Sequence, residues 1–476
     1  MKYLSIFIFL AGASFSSFAQ TPYLFKDINE GPLESFPRSF TEYNGELIFG
    51  AFDALWKTDG TPEGTVQFSN IQLMGIGQPD FFSYNNELYF IGRDANEDLQ
   101  LYKTNGTTSG TQALTNFTDN YNASSHQPYF LEMNGLLYFR MQTPDDGNEL
   151  FVSDGTSSGT ALFKEFMNGN ADGLQEMWKL NDTLIFLKAY TSQGVEPWIS
   201  DGTLTGTHLL KDINPGTAYS NPKNPVFLNG HIYFSATEPV AGRELWKSDG
   251  TDQGTVLVKD INPGTGNSDP YFFAANNQLQ ICASVPETGS EWYISDGTEQ
   301  GTNLFMDINP GSSGSSPLFN VFFYGGKMYF TANDGTYGSE LWVTDYTTQG
   351  TNLFMDLNPN NSILAPRNFQ QYDNRFYFSA YTSETGYELW VTDLTEQGTY
   401  MLDDIFPGTS ASVGFPVYMH EIGGKLLFKA NDGVHGEELW AVGLNVGLEE
   451  NTVKNLIQAY PNPASYAICR CHYQTQ

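Results

Sequence analysis

Val256-Leu257-Val258-Lys259-Asp260-Ile261-Asn262-Pro263-Gly264 opens a segment that runs to Asp296, and its pattern decides the fold. The apolar run Val256–Ile261 ends at the Asn-Pro-Gly turn. A second run spans 271–275 and stops at Asn276-Asn277. A third spans 279–285, and after a loop a fourth covers Glu291 to Ser295. Short runs of this kind, punctuated by turn residues, read as four β-strands. Asp296-Gly297-Thr298 and Gly301-Thr302 then lead into the next copy.

The same segment recurs along the chain. An aromatic three residues before an Asp or its replacement stands at Trp56, Tyr102, Phe151, Trp198, Trp246, Tyr293, Trp342, Trp390 and Trp440, at intervals of 46 to 50 residues. A fixed period of this length marks a repeat architecture. Between the second and third runs of each unit lies a pair of turn residues. These are Asn44-Gly45, Asn85-Asn86, Asn134-Gly135, Asn181-Asp182, Asn229-Gly230, Asn276-Asn277, Gly325-Gly326, Asp373-Asn374 and Gly423-Gly424. Type I′ hairpins need positive φ at both central residues, which Asn, Asp and Gly tolerate best. Nine β-hairpins are therefore expected.

The runs do not alternate apolar with polar. Leu245 adjoins Trp246, Tyr233 adjoins Phe234, and Leu304 adjoins Phe305. Strands apolar on both faces must be covered on both sides, and blades stacked in a ring provide that cover. The expected fold is an all-β propeller of nine four-stranded repeats, with a short irregular C-terminal tail; a β-solenoid, whose coils are usually shorter, is the alternative. Nine exceeds the usual four to eight blades, so eight to nine blades are expected, the unit around Tyr102 being the weakest copy. Tyr23 to Ile28 should close the ring by joining the sheet that holds Glu438 to Ala441.

Of 476 residues, 15% are aromatic and 16% charged, so the chain can bury a large core. The formal net charge of −32 repels phosphate backbones and speaks against nucleic-acid partners. Residues 1–19 read as a signal peptide: Lys2, an apolar core from Leu4 to Ala13, and Ser17-Phe18-Ala19 before Gln20. That core is too short to span a bilayer, and no later segment has transmembrane length. The three cysteines, Cys282, Cys469 and Cys471, give the main body no disulfide framework.

Glu244-Leu245-Trp246-Lys247-Ser248-Asp249-Gly250-Thr251, with Gly254-Thr255 and Lys259-Asp260-Ile261-Asn262-Pro263-Gly264, resembles the bacterial ELWxxDGT repeat family. The resemblance covers Tyr23 to Trp440 and implies a secreted or surface protein, without a shared activity. Asn105 departs from the pattern in the second unit, as does Ala441-Val442-Gly443 in the ninth. The repeats occupy residues 20–445. After them, Ala459-Tyr460-Pro461-Asn462-Pro463-Ala464-Ser465 looks like the start of a type IX secretion sorting domain. Residues 446–476 thus read as a linker and a truncated sorting segment. The address implied is secreted or cell-surface, with periplasmic retention as the consequence of the truncation.

The repeated aspartates Asp59, Asp154, Asp201, Asp249 and Asp296 could be ligands, but a residue needed once would not recur in nearly every unit; turn formation is the expected role. The recurring Trp, and Trp178, are expected in the core between blades. Asn333-Asp334-Gly335, Asn431-Asp432-Gly433, Asp212, Asp260, Asp307 and Asp356 offer oxygens, yet none has EF-hand spacing. No cofactor is expected, structural calcium being the alternative. His126, His208, His231, His420 and His435 lie in different units without a nucleophile motif. No catalytic, cofactor-binding or metal residues are therefore assigned. The third loops, Arg93 to Asp98, Met141 to Asn148, Tyr190 to Val195, Ala236 to Arg243 and Tyr381 to Tyr387, vary between copies, so a ligand is expected on their rim. The function expected is non-catalytic binding or adhesion toward extracellular glycan or protein. A carbohydrate-active hydrolase or lyase, or a structural surface protein, is the alternative.

Overall fold

The computed structural model describes residues 21–74, 81–118, 129–143, 147–167, 173–357, 365–413 and 418–443. The signal and sorting segments, His126, Cys469 and Cys471 lie outside these residues. All regular structure among the described residues is β, in nine antiparallel sheets arranged as a nine-bladed propeller. Among the described residues no helix is long and apolar enough to cross a membrane.

Blade 5 shows the plan: Lys223–Leu228, His231–Glu238, Gly242–Ser248 and Val256–Lys259 pair in that order. The first strands of successive blades are neighbours around the ring, so they line its centre and the fourth strands form its outer wall. Each sequence unit therefore begins with the outer strand of one blade and continues through three strands of the next. Hairpins and Asp-Gly-Thr turns share one face of the ring. Asn-Pro-Gly loops and third loops share the other.

Closure is the expected one. Tyr23–Lys26 pairs with Glu437–Gly443, Tyr23 opposite Ala441 and Leu24 opposite Trp440, completing blade 9 with Met419–Ile422 and Lys425–Asn431. One strand from each end locks the ring. Blade 2 is the irregular copy. Its second strand, Glu87–Arg93, pairs with both Gln72–Leu73 and Phe82–Tyr84, while its outer strand is only Gln112–Ala113.

Eight hairpin pairs have positive φ at both residues, for example Asn276 at 51° and Asn277 at 59°. The fourth differs. Its strands run to Asn181 and from Leu184, so Asp182-Thr183 form the turn, and Asn181 Oδ1 accepts from the Thr183 N–H and Oγ1. An Asx turn replaces the I′ geometry there.

The core lies between blades. Phe49, Phe90, Phe139, Phe234, Phe330, Phe378 and Phe428 occupy one position of the second strand, opposite the motif aromatic, and are fully buried, with Leu187 in blade 4 and Ile281 in blade 6. Each cluster joins two blades: Tyr233 and Leu245 of blade 5, for instance, pack with Leu279 and Ile281 of blade 6. Because the faces of every blade are covered, the strands need no alternation. Phe25 of the closing strand is buried against Phe40, Phe49 and Leu427. Phe25→Ala should therefore destabilise the ring by about 3 kcal/mol in urea titration, whereas Val66→Ser on the exposed outer edge of blade 1 should change stability by less than ~0.5 kcal/mol.

Candidate functional site

The residues that recur in every unit build the ring. Asp249 Oδ1 accepts from the Thr251 N–H at 2.9 Å and its hydroxyl at 2.7 Å, and Thr251 Oγ1 accepts from the Gly254 N–H at 3.0 Å. The Ser248 and Thr255 hydroxyls meet at 2.7 Å below them. A Cβ at Gly254 would lie 2.0 Å from the Asp249 carboxylate, so only glycine fits. Asp59, Asp154, Asp201 and Asp296 repeat the arrangement, and Asn105 fulfils it in blade 2. The Thr hydroxyl holds the Asp154, Asp201, Asp249 and Asp296 carboxyls below the usual range. These aspartates are turn formers.

The glutamate that begins the motif has a role the sequence reading did not assign. Glu244 is wholly buried, and its carboxylate accepts from the Ile261 N–H at 2.8 Å, the Ser268 N–H at 2.8 Å and the Ser268 hydroxyl at 2.6 Å. It thus fastens both ends of the Asn-Pro-Gly loop to the third strand of its blade. Glu196 binds Ile213 and Ser220, Glu291 binds Ile308 and Ser315, Glu388 binds Ile405 and Ser412, and Glu438 binds Ile28 and Ser35 in the same way. Glu149 and Glu340 hold Phe166 and Leu357. In blade 2 Gln100 replaces the carboxylate, accepting from Thr115 Oγ1 and the Phe117 N–H, each at 2.9 Å. Burial pushes the Glu196, Glu244 and Glu388 carboxyls up to about 7, against hydrogen bonds that favour the ion.

Several of the oxygens considered for calcium serve loop geometry, while Oδ1 of Asp212, Asp260 and Asp307 is buried without a hydrogen-bond partner. Asp212 and Asp260 Oδ2 accept from the N–H of Gly216 and Gly264. Asn262 Nδ2 donates to the Asn267 carbonyl at 3.0 Å, and Asn309 repeats this with Gly314. Asp334 Oδ1 accepts from Thr336 and Tyr337, and Asp432 Oδ1 from Val434 and His435. Among the described residues, no three of His, Cys, Asp and Glu converge in a metal-binding group.

Trp246, Trp342 and Trp440 are buried between blades, and Trp178 packs on Phe186 at 5.9 Å. Cys282 is buried, which pushes its thiol up to about 12, far from a reactive thiolate. His208, His231, His420 and His435 are not brought together: His435 Nδ1 lies 2.7 Å from Asp432, and His420 lies 3.9 Å from Glu42.

The third loops at Tyr190 to Val195, Ala236 to Arg243 and Tyr381 to Tyr387 are tight turns, while the connection after Arg93 takes five residues, 94–98. Tyr190 to Val195 contains only a two-residue connection after Thr191, and Ala236 to Arg243 bends within three residues after Glu238. Their glycines sit against the adjoining Asn-Pro-Gly loop: a Cβ at Gly194 would lie 1.9 Å from the Ala218 carbonyl. They do not form open arms.

The first strands also differ between copies. A cleft of about 480 Å³ opens toward the hairpin face between the first strands of blades 2, 3 and 4, which are Phe82–Tyr84, Phe130–Met133 and Leu174–Asn181. Phe82 and Phe130 stack along it at 6.0 Å, 23° from parallel. Glu132, Lys179, Ser83 and Asn85 supply its polar groups. Lys179 Nζ lies 3.7 Å from Glu132 and 3.1 Å from Asp182, while the other Glu132 oxygen accepts from the Gly135 N–H at 3.0 Å. The cleft is therefore braced on both blades and carries donors, acceptors and aromatic surface together. No motif announces it, because its residues come from three units. The same strand positions in blades 5 to 7 expose Phe227, Ala274 and Phe323 instead.

No family model matches the chain, and no curated protein does. Among solved structures, it is similar to the computationally designed Ika8 protein, with 11% identity and a TM-score of 0.40 over 88% of this chain and 99% of that one. It is similar also to puromycin hydrolase, at 12% identity and a TM-score of 0.39, covering 74% of this chain and 57% of the hydrolase. A prolyl endopeptidase structure matches at 11% identity and a TM-score of 0.40, over 74% and 54% of the two chains. Such distant likenesses say nothing of chemistry.

Two outcomes follow from the glutamate fastening. A carboxyl raised in the folded state binds its proton more tightly there than in the unfolded chain. Stability should therefore rise as pH falls from 8 through about 7 toward the ordinary carboxylate range near ~4.3, seen as a higher thermal midpoint at pH 5.5 than at pH 8. The turn aspartates act oppositely, but only at lower pH. Glu244→Ala leaves three donors without their acceptor and should cost about 3 kcal/mol in chemical denaturation.

Proposed function

We propose that this chain is a secreted, non-catalytic binding module that recognises extracellular glycan or protein through the hairpin face of its ring. The supporting observation is the division between residues that repeat and residues that do not. The repeating carboxylates are committed to turns and loops. The cleft between blades 2 and 4 is made of first-strand residues that differ from copy to copy, and it combines stacked rings with polar groups. A uniform scaffold with one differentiated patch is what specific recognition needs.

Export belongs to this reading through residues 1–19 and the resemblance to the ELWxxDGT repeat family. The type IX secretion machinery is the partner that a complete sorting segment would engage. The strongly acidic surface disfavours nucleic acid and other polyanions as ligands. Electrophoresis of the protein through native gels, each containing one polysaccharide that is stained afterwards, tests the reading. Retarded migration with an evenly stained gel is the expected result for a binder. A cleared zone at the protein band would show depolymerisation and overturn the non-catalytic reading.

A further inference from the structure

We infer that the cleft between blades 2, 3 and 4 is a subsite for a neutral sugar ring, the end unit of a glycan chain. This inference rests on the binding reading above and names its ligand. Phe82 and Phe130 form a half-buried wall that continues into the core: Phe130 stands in a stack between Phe82 at 6.0 Å and Phe139 at 6.1 Å, so the face left for a ligand is the outer one of Phe82. The wall is rigid, because the strand behind Phe82 is held at its end by the Tyr84 hydroxyl, which donates to the Gly135 carbonyl at 2.7 Å. An aromatic face carries the negative part of the ring quadrupole. It attracts the polarised C–H bonds on the flat side of a pyranose, while the sugar's hydroxyls point outward from the edge.

Those hydroxyls would meet Glu132 and Lys179. The two groups lie 3.7 Å apart, an acceptor beside a donor, which matches two adjacent hydroxyls. Both side chains remain partly exposed, at 41% and 33%. Each is also positioned by a second bond, Glu132 to the Gly135 N–H and Lys179 to Asp182. Ser83, exposed next to Phe82 in the same strand, adds a hydroxyl.

Charge selects against acidic sugars. The lysine is matched by Glu132 and Asp182, and Asp154 lies close enough to act on the Tyr84 hydroxyl. A uronate or sulfate entering the cleft would meet net negative charge on a protein of net −32. The volume of about 480 Å³ is in the lower half of the range for small-ligand sites. It suits one or two rings rather than a folded partner. An aromatic side chain from a protein would use the wall but leave the Glu132–Lys179 pair unanswered.

Calorimetric titration of the whole protein with neutral hexaoses of glucose, mannose, galactose and N-acetylglucosamine, with hexagalacturonate, and with acetyl-phenylalanine amide tests the inference. Saturable binding of a neutral hexaose and none of hexagalacturonate is expected. Ser83→Trp, which fills the cleft from an exposed position, and Glu132→Gln, which keeps the bond to Gly135, should each weaken it by about ten-fold or more. Circular dichroism would verify that both variants remain folded. Binding unchanged in both would place the glycan site elsewhere, overturning this inference while leaving the binding reading intact. Binding of acetyl-phenylalanine amide alone, or of no probe, would overturn the sugar assignment.

Discussion

A carboxylate can be buried only where donors surround it, and the ring is organised around seven that are. Each glutamate sits in the third strand of a blade, out of water, and collects N–H groups from a loop that would otherwise have to hydrate them. The carboxylates of Glu196, Glu244, Glu291, Glu388 and Glu438 each take one donor near the loop's start and another near its end. The loop is thereby closed to a fixed size, and since it carries the chain to the next blade, its size sets how that blade is placed. Strand, loop and neighbour are coupled through one side chain. In blade 2 the neutral Gln100 holds the start of the loop with an amide that both accepts from and donates to Phe117. Blade 1 has Ala54 at this position, and beyond it the chain passes into the irregular pairing of blade 2.

This division of labour frees the first strands. The phenylalanines of the second strands fill the spaces between blades, and the Asp-Gly-Thr turns and glutamates hold the third and fourth strands. The innermost strand buries Leu131, Met133 and Met177, for instance, between blades, and leaves the alternate positions at least partly exposed. Its side chains near the hairpins can change from Glu132 to Phe227 to Gln371 without touching the fastening. Selection for a ligand can act there at little cost to stability.

The hairpins and turns were legible because each turn's chemistry is local: the Asn-Asn pair at 276–277 and the Asp249–Thr251 bond lie within two residues. The glutamates were not. A Glu beside a Leu-Trp pair reads as the polar member of a strand, and its donors are backbone groups that carry no side-chain signature. One trace was present. A serine stands 24 residues after Glu196, Glu244, Glu291 and Glu388, and at that spacing it supplies a donor to the carboxylate. The cleft was hidden for another reason. Phe82, Phe130 and Lys179 belong to different units, and only the curvature of the ring brings them together. The variable third loops lie on the opposite face, and three of them are tight turns.

The closing strand has a geometric consequence. Tyr23–Lys26 enters from the hairpin face, and Glu437–Gly443, antiparallel to it, leaves toward that same face. The chain therefore enters and leaves the ring on the side on which the cleft opens. A tether attached there would turn the cleft toward its own anchor, leaving the loop face outermost. A ligand that reaches such a tethered ring would have to belong to the supporting surface itself, or slip in between ring and support.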